Sequence, residues 1–172
     1  SILPYLSVMR TLSLIIAFTF LCFDFNAKAQ TPIVADPPSG TLDGVNILSG
    51  TSVIIQLRSP SKQYVYLKGD FNSFSESANS LMKISTDGNT HWLQINNLNP
   101  GTYYRYFFLV EGVLEIGDPY SELILDPWND GYIPQVNFPG MPQYPTGVVS
   151  VPISTFRTDN PYFLWTDYNF QK

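Results

Sequence analysis

The stretch from Gly101 to Asp130, GTYYRYFFLVEGVLEIGDPYSELILDPWND, decides the fold of this chain. Side chains alternate along a strand, so between Thr102 and Val110 the residues Tyr103, Arg105, Phe107 and Leu109 point one way. Tyr104, Tyr106, Phe108 and Val110 point the other, and both faces are largely apolar. A strand of this kind is central, with the core on one face and core, a partner domain or a ligand on the other. Glu111-Gly112 then turns the chain into a short return, Val113 to Ile116. Beyond it the period is lost among Asp118-Pro119-Tyr120, Asp126-Pro127-Trp128 and Pro134, Pro139, Pro142 and Pro145, which mark a long ordered excursion because each Pro fixes φ and removes a donor.

Upstream of this strand the pattern is short strands between turn residues. TSVIIQLR (Thr51 to Arg58) is β-branched, and Ser59-Pro60-Ser61 turns it toward QYVYLK (Gln63 to Lys68), with which it is expected to pair. In QYVYLK, Val65 and Leu67 face the core and Tyr64, Tyr66 and Lys68 form a tyrosine-rich surface. Leu81 to Ile84 meets His91 to Ile95 across Thr86-Asp87-Gly88-Asn89, whose Asp-Gly is a hairpin signal. Asn96 to Gly101 is the next turn, and Gly147 to Ile153 reads as a last strand. About seven short strands at this spacing predict an all-β fold, an immunoglobulin-like β-sandwich with a long Pro-rich C-terminal excursion.

The composition agrees: of 172 residues 44% are hydrophobic and 15% aromatic, enough for a buried core, and only 13% are charged. Nine Lys and Arg against 14 Asp and Glu give a net charge of −5, without a basic cluster, so nucleic acid has no electrostatic footprint here. Met9-Arg10, the apolar Thr11 to Phe25 and Ala27-Lys28-Ala29 read together as a secretory signal peptide over residues 1–29, cut after Ala29, with residues 1–8 upstream of the true start. The run is too short, and too interrupted by Asp24, for a membrane anchor, so no membrane association is expected after its removal. The only cysteine, Cys22, lies in that segment, and Leu21 before it is too large for a lipoprotein site. With no disulfide and no Asn-x-Ser/Thr sequon, the expected location is bacterial, periplasmic or secreted.

The chemical inventory is poor. His91 is the sole histidine, it sits beside Trp92 in a strand, and it reads as a surface or turn-capping residue. Zinc lacks ligands, and no cofactor is expected. Asp118, Glu122 and Asp126 are spaced by four but broken by Pro119 and Pro127, so they read as solvated turn residues and not as a catalytic pair. Asp126 to Asn137 begins like a calcium loop but fails at Trp128 and Asn137. Aromatic rings that stack on the apolar faces of sugars are the better candidates: Tyr66, Phe74, Trp92 and Trp128, with Lys68 beside them, form the candidate carbohydrate platform, although each ring reads first as core or interdomain packing.

Four stretches carry a resemblance: YVYLKGDFNSF (64–74), DGNTHW (87–92), NPGTYYRYFFLVEG (99–112) and GDPYSELILDPWNDGYI (117–133). They resemble the N-terminal early-set β-sandwich of α-amylase-family enzymes, glycoside hydrolase family 13, a module related to carbohydrate-binding module family 48. The likeness runs from about Asp36 to Tyr168. Sugar-binding members place a Trp after the GDFN-type turn, a Lys in the long strand and a second Trp beyond the next turn; the matching positions here are Phe74, Phe107 and Leu114, and all three depart.

The resemblance implies residues 30–150 as the module and 151–172 as a linker toward a (β/α)₈ catalytic barrel this chain lacks. Catalytic residues are expected in that barrel and not here. The function it implies is that of a non-catalytic module of a starch-active glycoside hydrolase, its aromatic face packed on the barrel, with α-glucan a further partner. The alternatives are a free-standing α-glucan-binding surface protein using Tyr66, Lys68, Phe74 and Trp92, and a structural or adhesion sandwich.

Overall fold

The computed structural model describes residues 31–148 and 150–159. The expected signal segment with Ala27 and Ala29, and the last thirteen positions of the expected linker, lie outside the described residues. Nine strands form two sheets: β1 (Gly44–Ser49), β2 (Ser52–Arg58), β3 (Val65–Gly69), β4 (Lys83–Ile84), β5 (Thr90–Ile95), β6 (Tyr103–Val110), β7 (Leu114–Ile116), β8 (Leu123–Leu125) and β9 (Ile153–Arg157). One sheet runs β1-β2-β5-β4 and the other β3-β6-β9-β8, with β7 on β6, and every pairing of named strands is antiparallel. The protein is an all-β sandwich.

The core forms from the inward faces. Val53, Ile55 and Leu57 of β2 meet Val65 and Leu67 of β3 and Tyr104, Tyr106, Phe108 and Val110 of β6. The alternation read from the sequence thus places Val65 and Leu67 of β3 inward as expected, and of the two apolar faces of β6 it is the one with Tyr104, Tyr106, Phe108 and Val110 that meets them. The long strand uses both edges: β3 pairs along Tyr106–Val110, while β9 takes Tyr103–Tyr106 and β7 takes Phe108–Val110 on the other side.

β2 does not pair with β3. Ser59-Pro60-Ser61 carries the chain from one sheet to the other, and β2 finds its partners in β1 and in β5. Five successive residues of β2 are buried, Val53 to Leu57, so it is the interior strand of its own sheet and has no free edge for β3. The Asp-Gly hairpin forms as expected, Lys83 opposite Trp92 and Ile84 opposite His91. Its first arm begins in the other sheet, because the Leu67 amide donates to the Ser80 carbonyl and the Met82 amide to the Val65 carbonyl. One segment, Ser80 to Ile84, therefore closes this side of the sandwich, pairing with β3 and then with β5. The opposite side, between β1 and β8, has no such closure among the described residues.

The last strand lies later than expected. It is β9, Ile153–Arg157, inserted between β6 and β8, so the sheet continues past the boundary placed at residue 150. β8 was not expected at all, being three residues between proline-marked turns.

The second face of β6 also has its answer. Phe107 is fully buried with Leu125 of β8 and Ile153 of β9, and Phe74, Met141 and Tyr144 pack over them. The chain's own excursion, and not a partner or ligand, covers this residue. The excursion is held by the Arg105 guanidinium, which donates to the Gln143 carbonyl at 2.7 Å, and by the Tyr144 hydroxyl, which donates to the Val151 carbonyl at 2.7 Å.

Candidate functional site

Gly69 to Phe74 begins where β3 ends. A Cβ on Gly69 would lie 2.8 Å from the Arg105 carbonyl oxygen and 2.6 Å from the Phe71 ring, so only glycine lets β6 approach this closely. Asn72 then folds back: its side-chain oxygen accepts the Gly69 amide at 2.9 Å and its amide donates to the Leu67 carbonyl at 2.8 Å. Asp70 accepts the Arg105 backbone amide at 2.8 Å, Nε at 2.9 Å and Nη2 at 2.7 Å. This bidentate pair raises the Arg105 guanidinium above its ordinary range, chiefly through the hydrogen bonds it donates to Asp70. Ser73 and Phe74 follow at φ of 53° and 55°, and the reversal stacks Phe74 on Phe107 with ring centroids 6.1 Å apart.

The expected platform residues therefore separate. Tyr66 is buried, 8% exposed, and meets Tyr64 edge to face at 5.8 Å. Trp92 is 6% exposed; its indole donates to the Ala35 carbonyl at 2.7 Å while Lys83 Nζ sits 4.4 Å from its ring. Neither ring offers a free face to a sugar. Lys68 is held by Glu76 at 3.3 Å, with its Nζ 5.5 Å from the Phe107 ring centroid. Phe74 is half-buried against Phe107. Only Trp128 stands out, 62% exposed, on a turn where its amide binds Asp126 at 2.8 Å. Hydrogen bonds to that turn, led by the one from the Asn129 side chain, hold the Asp126 carboxyl below its usual range. Of the three positions where the family resemblance looks for sugar contacts, Phe74 and Phe107 pack together and Leu114 is exposed on β7.

Two polar residues were misread. Asp118 is not solvated: it is 2% exposed, its carboxylate accepts the Tyr106 hydroxyl at 2.6 Å and the Tyr120 amide at 2.8 Å, and its own amide donates to Ser154 Oγ at 2.6 Å. Burial pushes its carboxyl above the ordinary carboxylate range. His91 is fully buried and shares a 2.7 Å hydrogen bond with the Ser59 hydroxyl through Nδ1, and burial holds its imidazole below the ordinary range. Glu122, the neighbour of Asp118 in the spacing, is exposed and brings no second carboxylate to it. Among the described residues no group of three His, Cys, Asp or Glu gathers as metal ligands would.

A feature that sequence reasoning missed lies on the unclosed side. Val45 and Ile47 of β1, Tyr120 and Leu123 near β8, and Phe156 and Arg157 of β9 line a cleft of about 100 Å³. Arg157 sits 5.0 Å from the Tyr103 ring centroid and is held to Asp159 by bonds of 2.9 and 2.7 Å. The lining comes from four distant stretches, with Tyr103 of β6 the fourth, so no local signal announced the cleft.

No protein-family model matches the chain, and no curated protein does. Among solved structures, the chain is similar to a GBS pullulanase, SAP, solved with maltotetraose, at 18% identity and a TM-score of 0.43 over 69% of this chain. It is similar to a protein assigned as an alpha amylase from Salmonella typhimurium, at 22% identity and a TM-score of 0.37 over 46%. It is also similar to the catalytic module of the pneumococcal glycogen-degrading virulence factor SpuA, solved with an inhibitor, at 24% identity and a TM-score of 0.37 over 52%. The chain spans 12% to 14% of the length of these solved chains. Likeness of this degree assigns neither ligand nor activity.

Proposed function

We propose that this chain is a non-catalytic β-sandwich module of an α-glucan-active glycoside hydrolase of the α-amylase type. One observation carries the reading: the residues behind the sequence resemblance are spent on holding the sandwich together. Gly69, Asp70 and Asn72 of the GDFN turn lock β3 to β6, and Asp118 of the DPY turn is buried against Tyr106 and β9. Of the groups with acid-base character that the sequence singled out, His91 and Asp118 are closed off from solvent, and Glu122 is exposed without bringing a second carboxylate to Asp118. Burial of Tyr66 and Trp92 speaks for a supporting module over a free-standing glucan binder. Export belongs to the same proposal, resting on the composition of residues 1–29 and the Ala27-x-Ala29 signal.

The test is to follow the reading frame beyond Lys172 and express the longer polypeptide. A downstream domain that hydrolyses starch, glycogen or pullulan is the expected result; a stop codon directly after Lys172 overturns the reading. Amino-terminal sequencing of exported protein checks the cleavage, with Gln30 expected first.

A further inference from the structure

The unclosed side of the sandwich has an unusual chemistry. Between Arg105 and Arg157 the chain carries no Lys, Arg or His, and the turns flanking β8 bring three solvent-reaching carboxylates to this side, Glu122, Asp126 and Asp130, while Glu111 is paired with Lys62 and Asp118 is buried. Within that acidic stretch, Tyr120, Ile124, Trp128, Tyr132, Ile133 and Val136 are exposed by 56, 39, 62, 85, 41 and 82%. Single exposed apolar residues mean little, but six within seventeen positions, on β8 and the loops flanking it, mark a contact surface. β8 is also the outermost strand of its sheet, a backbone edge that proteins normally cover or guard with charge. The cations bounding the stretch are already spent, Arg105 on Asp70 and Gln143, Arg157 on Asp159.

The adjoining cleft narrows the occupant. At about 100 Å³ it is well below the ~300–1,000 Å³ of small-molecule sites and suits one apolar side chain inserted from a partner. A second copy of this chain would bring the same carboxylates face to face. A partner with positive charge around an apolar centre is complementary. The face around Phe107 is not available to compete, because Met141 and Tyr144 already cover it.

We infer that β8, its flanking loops and the cleft dock a protein surface that has an apolar anchor side chain at its centre and Lys or Arg around it. Resting on the reading of the chain as an enzyme module, this surface belongs to the catalytic domain of the same polypeptide. The docking face is thus the acidic edge of the sandwich and not the outer face of β6.

The experiment compares the 172-residue chain with the polypeptide extended past Lys172, by hydroxyl-radical footprinting and amide hydrogen exchange. Tyr120, Trp128 and Tyr132 are expected to be labelled, and the Leu123–Leu125 amides to exchange, about tenfold more slowly in the longer polypeptide. The protection should weaken as salt is raised. The double variant Ile124→Lys with Tyr132→Lys, at exposed positions, should abolish it while leaving the unfolding of the 172-residue chain unchanged. A catalytic domain that protects another face, or protection that survives the double variant, overturns the docking assignment and leaves the module reading intact. A downstream domain without glucan activity that still protects β8 supports the docking and overturns the module reading. Absence of any downstream domain overturns both.

Discussion

Asp70 and Arg105 are joined three times over: the carboxylate accepts Nε and Nη2 of the guanidinium, and it also accepts the Arg105 backbone amide. The pair binds the turn after β3 to the middle of β6, and through Arg105 it reaches the Gln143 carbonyl of the excursion. Both side chains are about three-quarters shielded, so the charge-assisted bonds are worth more than a surface pair. Asp70→Ala is expected to cost about 2–3 kcal/mol by urea unfolding. Arg105→Lys should lose nearly as much, because an ammonium cannot span both oxygens. A double variant no worse than either single one identifies the pair as one unit; additive losses would contradict it.

Gly69→Ala places a methyl group against the Arg105 carbonyl, at 2.8 Å, and against the Phe71 ring. The backbone of β6 cannot withdraw without breaking its ladder with β3. The expected cost is about 1–3 kcal/mol, read as a lower melting temperature. Gly88→Ala, where nothing lies within 4 Å but φ is +71°, should cost less, about 1 kcal/mol from backbone strain alone.

Phe107→Ala removes the ring on which Leu125, Ile153, Phe74, Met141 and Tyr144 converge, and about 3–5 kcal/mol should be lost. Phe74→Ala, at the half-buried edge of the same cluster, should cost distinctly less. Limited proteolysis is the complementary measurement: Phe107→Ala should be cut first in the excursion between residues 134 and 148. Cleavage elsewhere would show that the excursion is not held through this ring.

Two carboxylates pull the pH dependence in opposite directions. Hydrogen bonds from Ser85 and Asn89 lower the Asp87 carboxyl from 3.8 to about 2, so its contribution to stability is present above about pH 4 and is lost as pH falls toward 2. Asp118 is raised by burial, so the folded protein holds its proton more firmly than the unfolded chain does. Stability from Asp118 is therefore present at low pH and is lost as pH rises through its folded-state value. Urea midpoints between pH 2 and 7 check both: Asp87→Asn should flatten the acid limb, while Asp118→Asn should improve relative to the parent chain as pH rises toward 7. No change in either limb would refute the assignments.

Titration with maltoheptaose is expected to show no saturable binding tighter than about 1 mM, an affinity worth only ~4 kcal/mol. The rings read as a platform, Tyr66 and Trp92, are inside the molecule. Tight binding abolished by Trp128→Ala would reverse this expectation.

What was legible in the sequence was local. The alternation of Val65 and Leu67 in β3 reports the core because burial acts on each residue singly, whereas β6 is apolar on both faces and its alternation alone could not say which one meets them. Asp87-Gly88 announces its hairpin because the turn carries its own geometry. Sheet membership is not local: Ser59-Pro60-Ser61 has the chemistry of a hairpin turn, and only the competing claim of β5 on β2 sends β3 elsewhere. Trp92 illustrates the same limit, since the carbonyl that satisfies its indole belongs to Ala35, 57 residues upstream. Asp118 looked solvated because an Asp-Pro pair is ordinary turn chemistry, and nothing nearby in sequence reveals Ser154.

The run Ser80 to Ile84 acts as the spine of a book whose covers are the two sheets. Along the spine the covers are joined by hydrogen bonds from one unbroken length of chain, so parting them there means tearing both ladders. At the fore-edge, between β1 and β8, no strand crosses among the described residues. Anything clasped across that edge would hold the two covers together where no strand does.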